Sequence, residues 1–187
     1  KIYKEPIVIN PQEFKEEELT LDEYVKEVKK RPSLVFNPFQ RLYAALNMFG
    51  YEERKGAIRY KFLDDLVAKP GKDAGEMALY GVEDVVEEIT GYLALACQDK
   101  KTQSRFILLY GPPSTAKSTL IRLMGNILDG FYMTDEGALY TVKFDLSDFP
   151  ASKDYFAGIK ELKSPSHESP LNFLSSDELN KLMADIE

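Results

Sequence analysis

The sequence contains one cysteine, one histidine and no tryptophan. Disulfides need two cysteines, and zinc or Cys–His centres need several ligands or partners, so neither can be assembled from Cys97 and His167 alone. His167 lies in a polar, proline-bounded segment and is expected to be exposed without a role. A lone cysteine in an apolar stretch is typical of a reducing compartment. We therefore expect a cytoplasmic protein.

Basic residues are also scarce, with 24 lysines and arginines against 31 acidic residues and a net charge of −7. Coating a nucleic acid requires a basic face, so nucleic acid is not expected as a partner. A single nucleotide needs only one lysine and some main-chain amides. No apolar run approaches the ~20 residues that span a bilayer, and the start has no signal-peptide pattern, so no membrane association is expected. Lys1 at the start and a helical pattern at the end indicate a fragment.

Residues 1–75 are predicted to form a small, mostly helical region. Thr20 and Glu23 have the spacing of a capping box at the start of one helix. Asn37-Pro38 is a typical start of a second helix, with a cap followed by proline. The segment 51–62 is predicted to form a small hairpin.

A loop rich in glycine, proline and charge, residues 68–77, predicts a domain boundary near residue 75. Residues 76–187 then alternate between helical and strand patterns. The apolar run 105–110, "RFILLY", has the length of a buried parallel strand, and 137–146 alternates toward a second strand. The expected fold class is α/β, a parallel sheet with flanking helices.

The segment "GPPSTAKST", residues 111–119, follows the predicted strand and opens a helical pattern, as a phosphate-binding loop does. Main-chain amides at a helix N-terminus can surround an anion. Lys117 is placed to reach the β- and γ-phosphates of ATP, and Ser118 to ligate Mg²⁺. Lys117 is thus the candidate catalytic residue and Ser118 the candidate metal ligand. The candidate phosphate-binding residues are Gly111, Ser114, Thr115, Ala116, Lys117, Ser118 and Thr119.

Ala116 stands where the usual pattern has its last glycine, and Ser114 where a glycine is common. A β-carbon in the left-handed conformation costs roughly 1–2 kcal/mol, which is small beside the contacts of a triphosphate. Some P-loop ATPases of the AAA+ superclass carry G-x-P-x-x-A-K-[ST] loops, which this loop resembles. The alternative is a plain strand–helix connection in which Lys117 is a solvated charge.

A second segment, "ALYGVEDVVEEI", precedes the loop by roughly 30 residues and resembles the AAA+ segment that packs against adenine. Tyr80, Gly81 and Val82 are the candidates that this resemblance implies. The alternative is a turn and helix start, with Gly81 as the cap.

Together the segments resemble PrkA-type proteins, bacterial AAA+ proteins known as serine protein kinases, over about residues 21–174. The resemblance implies an AAA+ P-loop ATPase that binds ATP and Mg²⁺, a distal effector region beyond this chain, and a homo-oligomeric ring in the full-length protein. Kinase activity is implied by the resemblance alone, because the sequence has no H-R-D or D-F-G motif. The segments in order are "QRLYAALNMFG", "YKF", "LYGVEDVVEEITGYL", "FILLYGPPSTAKSTLIRLM", "TDEGALYTVK" and "SPLNFL".

Efficient hydrolysis needs a Walker B acidic pair after an apolar strand, to hold the metal and orient water. Asp177-Glu178 is the tempting pair, but Ser175 and Glu178 have capping-box spacing, which predicts a capped helix. The chain is therefore expected to bind ATP with little turnover, and no Walker B, sensor or arginine-finger residue is identified. Thr134–Gly137, a signature of the family, is interpreted as a turn after the helix.

The sequence is compatible with other functions as well. A MoxR-like or helicase-like AAA+ ATPase shares the alanine-bearing loop, although the acidic charge disfavours a helicase. A nucleotide-sensing interaction module without turnover is the non-enzyme alternative. The protein substrate is not identified by the sequence.

Overall fold

The computed structural model describes residues 2–9, 17–54, 56–71, 73–146, 161–164 and 169–184. The helices are α1 (Leu21–Lys30), α2 (Pro38–Asn47), α3 (Glu83–Ala96), α4 (Lys100–Gln103), α5 (Lys117–Tyr132) and α6 (Ser176–Ala184). The strands are β1 (Ile7–Val8), β2 (Tyr51–Arg54), β3 (Ala57–Tyr60), β4 (Val67–Ala68), β5 (Lys143–Asp145) and β6 (Glu161–Lys163). Short 3₁₀ turns lie at Pro32–Val35, Lys61–Asp64 and Pro170–Phe173.

The chain divides into two compact units. The first consists of Lys1–Glu17 and Phe36–Ala138, and the second of Glu18–Val35 and Leu139–Glu187. The boundary near residue 75, predicted from the sequence, remains a prediction, because compact contacts do not establish which segments fold independently.

In the first unit, β1 and β4 form a small parallel pair with Ile7 opposite Val67. β2 and β3 form the predicted antiparallel hairpin. Helices α2, α3 and α5 supply most of the buried core, because each carries apolar residues at helical spacing. Its buried members are Ala45, Leu46, Met48, Phe49, Phe62, Leu63, Val67, Val86, Ile89, Leu93, Leu120, Leu123, Met124, Ile127 and Phe131.

The start of α2 shows how the sequence directs this unit. Asn37 Oδ1 accepts a hydrogen bond from the Gln40 amide at 2.9 Å, and Gln40 returns one to the Asn37 amide at 2.9 Å. This reciprocal cap satisfies two amides that the helix leaves without partners. Pro38 loses nothing at the first helical position, where its missing N–H would have no acceptor. The predicted helix start is confirmed.

The second unit contains α1, β5, β6 and α6. α1 begins with the predicted capping box, in which the Thr20 amide donates to Glu23 Oε2 at 2.8 Å. β5 and β6 pair antiparallel, and Lys143 on β5 forms 2.9 Å ion pairs with Glu18 and Glu161.

The prediction of two parallel strands, at 105–110 and 137–146, is wrong within the described residues. Residues 105–110 form no β-ladder there, and of 137–146 only Lys143–Asp145 is a strand, paired antiparallel. The physical reason is that a strand needs a neighbour, and no described strand lies beside 105–110 to accept its main-chain hydrogen bonds. The parallel pairing that is observed is the two-residue β1–β4 contact.

None of the helices in the described part of the chain combines the length and apolar character required to cross a bilayer.

Candidate nucleotide-binding site

Helix α5 fixes the position of the candidate loop. Its apolar residues recur at helical spacing, and burying each large side chain contributes about 1.5–3 kcal/mol. Leu120, the first buried residue, lies one turn from the start of the helix. Near its other end, a Cβ at Gly130 would lie 2.7 Å from Val67 Cγ2, so glycine permits the close approach of β4. The buried residues are Leu120, Leu123, Met124, Ile127, Gly130 and Phe131.

The loop before α5 has an unusual backbone. Among the described residues, three non-glycine residues have positive φ, and two of them are here: Ser114 at 63° and Ala116 at 59°. A left-handed conformation costs an L-residue roughly 1–2 kcal/mol, and such strain clusters at ligand-binding segments. Ala116 therefore does adopt the conformation for which the usual motif has glycine. The loop is curled, unlike an ordinary connection.

The curled loop leaves main-chain donors free. Ala116 is the N-cap of α5 and makes no side-chain cap, while the Leu120 amide already donates to Ala116 O at 2.8 Å. Across the described residues, no acceptor is recorded for the amides of Ser114 to Thr119. Free amides in a turn with left-handed residues form an anion-binding concavity, and the helix dipole adds a positive potential at the same place.

Lys117 folds back over this loop. Its Nζ donates to Gly111 O at 3.0 Å and to Thr115 Oγ1 at 2.7 Å, and it also contacts Pro112 O. Thr115 Oγ1 in turn donates to Pro112 O at 2.8 Å. The ammonium group is therefore hydrogen-bonded to loop oxygens and does not extend away from the loop. An oxyanion there can replace these neutral carbonyl acceptors and form stronger, charge-assisted bonds.

The remaining residues of the predicted phosphate site lie on the first turn of α5. Ser118 is exposed and Thr119 is half-buried. Neither hydroxyl has a recorded partner in the described part of the chain. The role of Ser118 as a metal ligand therefore stays a prediction.

The predicted strand before the loop is instead an exposed segment. Phe106, Leu108 and Tyr110 keep 86%, 75% and 96% of their surface exposed. Its start is tied to α3, because the Tyr92 hydroxyl donates to Thr102 O at 2.7 Å and lies 3.0 Å from Arg105 O. The loop is thus anchored through α5 and α3.

The predicted adenine-contacting residues form a turn at the start of α3. Val82 is its half-buried N-cap, and Gly81 precedes it with a φ of 74°. Tyr80 is 71% exposed and lies under the Arg59 guanidinium, whose carbon is 4.5 Å from the ring centre. The turn that was the alternative interpretation is therefore observed, with Val82 and not Gly81 as the cap. A turn does not exclude adenine binding, which remains a prediction.

Sequence reasoning missed Arg59. Its side chain is 3% exposed and pairs with Asp64 at 2.5 Å and Glu83 at 2.6 Å. Burial opposes ionisation of Glu83, but main-chain amides and the Arg59 guanidinium outweigh it and lower the pKa of Glu83. An available signal was an arginine inside the strand "AIRY", where β-branched and aromatic residues are the usual occupants.

The structure bears on two other parts of the sequence analysis, the Ser175–Glu178 pair and Cys97, and does not describe His167. Ser175 and Glu178 form a capping box, with the Ser175 amide donating to Glu178 Oε2 at 2.9 Å, which confirms the capped helix. Burial raises the pKa of the Cys97 thiol, which disfavours a reactive thiolate. His167 lies outside the described residues.

Thr134–Gly137 forms the predicted turn after α5. Thr134 Oγ1 donates to Phe131 O at 2.7 Å and accepts from the Gly137 amide at 3.2 Å. Arg41 on α2 stabilises the turn, because its Nη1 donates a hydrogen bond to Gly137 O at 3.2 Å. Tyr3 donates to Glu136 at 2.7 Å, and burial together with this carboxylate raises the pKa of Tyr3 to about 12.

Comparison with known proteins settles the family. Residues 19–186 match the family model described as the PrkA AAA domain. The chain belongs to the PrkA AAA domain family. A relative described as "ATP-dependent protease PrkA", from Bacillus subtilis (strain 168), is 28% identical over 125 residues. This match covers 66% of the chain and 18% of the relative. No solved structure matches the chain.

The PrkA assignment confirms the predicted resemblance and the AAA-type class, with mixed helices and a small parallel sheet. An AAA domain implies nucleotide binding, usually of ATP with Mg²⁺. The relative is named as a protease, so the serine kinase activity implied by the resemblance is not confirmed. The chain spans about a fifth of that relative's length, so the activity of the whole protein is a separate question.

One prediction follows from the loop backbone. Replacing Ala116 with glycine removes the left-handed strain of roughly 1–2 kcal/mol, while glycine adds an entropic penalty of about 0.5–1 kcal/mol. We expect Ala116→Gly to retain ATP affinity and to unfold at an equal or slightly higher temperature. Titration calorimetry and thermal unfolding measure both effects.

The matched variant is Ala116→Val, whose β-branched side chain is strongly disfavoured at positive φ. It is expected to weaken ATP binding. Loss of affinity in Ala116→Gly, with Ala116→Val unchanged, would contradict the left-handed geometry.

Proposed function

We propose that this chain is the ATP-binding module of a PrkA-type protein and that the nucleotide phosphates bind on residues 111–119. The observation that carries the proposal is that the amides from Ser114 to Thr119 have no described acceptor, in a loop that contains two left-handed residues and the Lys117 ammonium group. Main-chain donors, a helix N-terminus and one cation are together sufficient to bind a polyphosphate.

Each residue has a distinct role in this proposal. The amides bind the β-phosphate, since they are fixed in place before binding and need little reorganisation. Lys117 exchanges Gly111 O and Thr115 Oγ1 for the β- and γ-phosphate oxygens. Ser118 Oγ ligates Mg²⁺, which neutralises phosphate charge when bound. Tyr80, Gly81 and Val82 contact the adenine.

This segment is proposed to bind ATP with little hydrolysis. The acidic pair that could have resembled a Walker B motif, Asp177-Glu178, begins α6, and Glu178 closes its capping box. A carboxylate whose oxygen closes a helix cap is already engaged and does not act as a Walker B acid. The same observation favours the second candidate, a nucleotide-sensing module that turns ATP binding into contact with a partner.

We propose that the full-length protein forms a homo-oligomeric ring in the cytoplasm, in which ATP binding drives a distal effector region. We also propose that residues 1–75 and 76–187 fold as separate regions. The relative's name favours ATP-dependent proteolysis, and the resemblance favours a serine kinase. Incubating the full-length protein with an unstructured protein and γ-labelled ATP distinguishes them, since a protease shortens the substrate and a kinase labels it.

The direct test is an ATP titration with and without Mg²⁺, together with a phosphate-release assay. We expect ATP to bind, Mg²⁺ to tighten binding through Ser118, and phosphate release to stay near background. Ser118→Ala should remove the Mg²⁺ effect while leaving metal-free binding intact. Absence of binding in both conditions would contradict the proposal, and rapid release would contradict the lack of turnover.

A further inference from the structure

One buried arginine binds the main chain at both ends of the segment 36–138. This segment is the longer continuous part of the first unit, and the chain passes between the two units before Phe36 and after Ala138. Arg41 on α2 is 7% exposed. Its Nε donates to Phe36 O at 3.0 Å, while its Nη1 donates to Gly137 O at 3.2 Å and lies 3.5 Å from Ala138 O. A single guanidinium therefore holds the first and last residues of the segment next to each other.

This arrangement depends on the shape of the arginine side chain. A guanidinium presents its N–H donors in a fixed planar arrangement, so it can bond carbonyls in different directions at the same time. An ammonium group is a compact charge on a flexible stem and lacks this rigid geometry. Phe36, Arg41, Gly137 and Ala138 are together called the clasp.

The clasp is joined by hydrogen bonds to the helices on either side of it. At α2, the Arg41 amide donates to Asn37 O at 2.9 Å as part of the helix start. At α5, the Thr134 amide and hydroxyl both donate to Phe131 O, and the Gly137 amide donates to Thr134 O at 3.1 Å. The turn after α5 thus leads from the end of the helix to the clasp through consecutive hydrogen bonds.

Helix α5 connects the clasp with the candidate nucleotide site. The helix begins at Lys117 and ends at Tyr132, so the phosphate loop precedes one end and the clasp follows the other. α2 packs against α5, and both helices contribute to the same buried core. Close-packed interiors transmit strain because they have little free volume. Ordering of the loop by phosphates is therefore expected to restrain the clasp as well.

We propose that Arg41 is a positioning residue through which the nucleotide state of the phosphate loop reaches the second unit. This rests on the proposed function, in which phosphates bind at 111–119, and it names the route by which their binding is sensed. Bound phosphates restrain α5, the turn carries the restraint to Gly137, and Arg41 shares it with Phe36. The two passages of the chain beside the clasp are thereby restrained together.

Hydrogen exchange of single amides, measured with and without ATP and Mg²⁺, tests this route. The reporter is β5, the first strand after the clasp, and the reference is α6, where the Leu179 amide donates to Ser175 O at 2.9 Å. A ligand stabilises the whole folded protein by mass action, and this slows exchange wherever exchange requires global unfolding. The reference removes that contribution. We expect ATP to slow exchange in β5 roughly fivefold more than in α6, and this ratio is called the excess.

Arg41→Lys keeps the charge but not the geometry that bonds both ends of the segment. It should abolish the excess, while ATP affinity by titration calorimetry stays within about threefold, because Arg41 bonds the turn at the opposite end of α5 from the loop. A loss of stability alone would speed exchange with and without ATP alike and leave the excess unchanged.

The matched control is Tyr3→Phe. It removes a hydrogen bond to Glu136 in the same turn but leaves the clasp intact, so the excess should be retained. If Arg41→Lys does not fold, Thr134→Val carries the test. This variant keeps Arg41 but removes the hydroxyl that bonds Phe131 O and the Gly137 amide, and it should reduce the excess.

The outcomes separate the two proposals. If the unmodified protein does not bind ATP, the phosphate site is wrong and the route from it is wrong as well. If ATP binds but slows exchange in β5 no more than in α6, the route is wrong and the phosphate site stands. An excess that persists in Arg41→Lys, or in Thr134→Val where that variant carries the test, overturns the positioning role of Arg41. Loss of the excess in Tyr3→Phe also contradicts it, because the clasp is then not the determining contact.

Discussion

Replacing Lys117 with alanine is expected to weaken ATP binding by about a hundredfold, or about 3 kcal/mol. In the structure its ammonium group lies among the loop carbonyls, bonded to Gly111 O at 3.0 Å and Thr115 Oγ1 at 2.7 Å. Its bonds all fall inside the loop, so its loss should not disturb the core of α5. Titration calorimetry gives the affinity, and thermal unfolding verifies that the protein is folded.

The matched control is Arg122→Ala. Arg122 is an exposed cation on the same helix, a little more than one turn beyond Lys117. Its removal lowers the net charge by the same amount but should change ATP affinity less than about threefold, since exposed charges at a distance are screened by salt. Equal losses of ATP affinity in the two variants would show that Lys117 acts only through the protein's overall electrostatic field. Unchanged affinity in Lys117→Ala would contradict the phosphate site.

Local features of this fold were predictable from the sequence because their causes are local. The capping boxes at Thr20 and Asn37 involve residues three positions apart, and both formed. The helix after the loop follows from the spacing of Leu120, Leu123 and Ile127, all of which are buried. The backbone strain at Ala116 was also predictable. The motif usually has glycine at this position, so an alanine that forms the same loop must adopt a left-handed conformation.

Features that depend on distant partners were not predictable in this way. The run 105–110 has a strand's composition, but an apolar run becomes a strand only when a neighbouring strand accepts its hydrogen bonds. Arg59 illustrates the same limit at the level of one side chain, because its partners Asp64 and Glu83 are recognisable only after the hairpin has packed against α3. The left-handed backbone at Ala116 could be anticipated from a contiguous motif, whereas the contact of Arg59 with the Tyr80 ring is a tertiary contact that the sequence does not reveal.

The loop's strain and its free amides lie in the same few residues. Residues 114 and 116 are left-handed, and the amides of the same segment pair with no described carbonyl. In the proposed function, an anion satisfies these amides and thereby offsets the strain. The loop would then contribute little to the stability of the protein and much to binding, as is common at functional sites. By contrast, the turn at the other end of α5 contributes to stability.

Gly137→Ala is expected to destabilise the protein by about 3 kcal/mol or more, because overpacking against the main chain cannot be relieved by a rotamer change. A Cβ at Gly137 would overlap the carbonyl oxygen of Phe131 and lie 2.5 Å from its carbonyl carbon. Phe131 O also accepts hydrogen bonds from the amide and the hydroxyl of Thr134. Moving this oxygen away from the added carbon would therefore break both hydrogen bonds. At about 2–4 °C per kcal/mol, the midpoint of thermal unfolding should fall by roughly 6–12 °C.

Gly125→Ala is the control for this prediction, since Gly125 lies within α5 and no atom beyond its own stretch of helix lies within 4 Å of its Cβ position. Alanine is preferred to glycine inside a helix by about 1 kcal/mol, so this variant should raise the unfolding midpoint. The two substitutions add the same methyl group with opposite effects on stability. At Gly125 the methyl group enters open space, and at Gly137 it meets the Phe131 carbonyl that closes the turn. If both variants unfold at the same temperature, the tight turn at Thr134–Gly137 is not formed as described. If only Gly137→Ala is destabilised while retaining ATP affinity, then this family signature serves folding and not the nucleotide site.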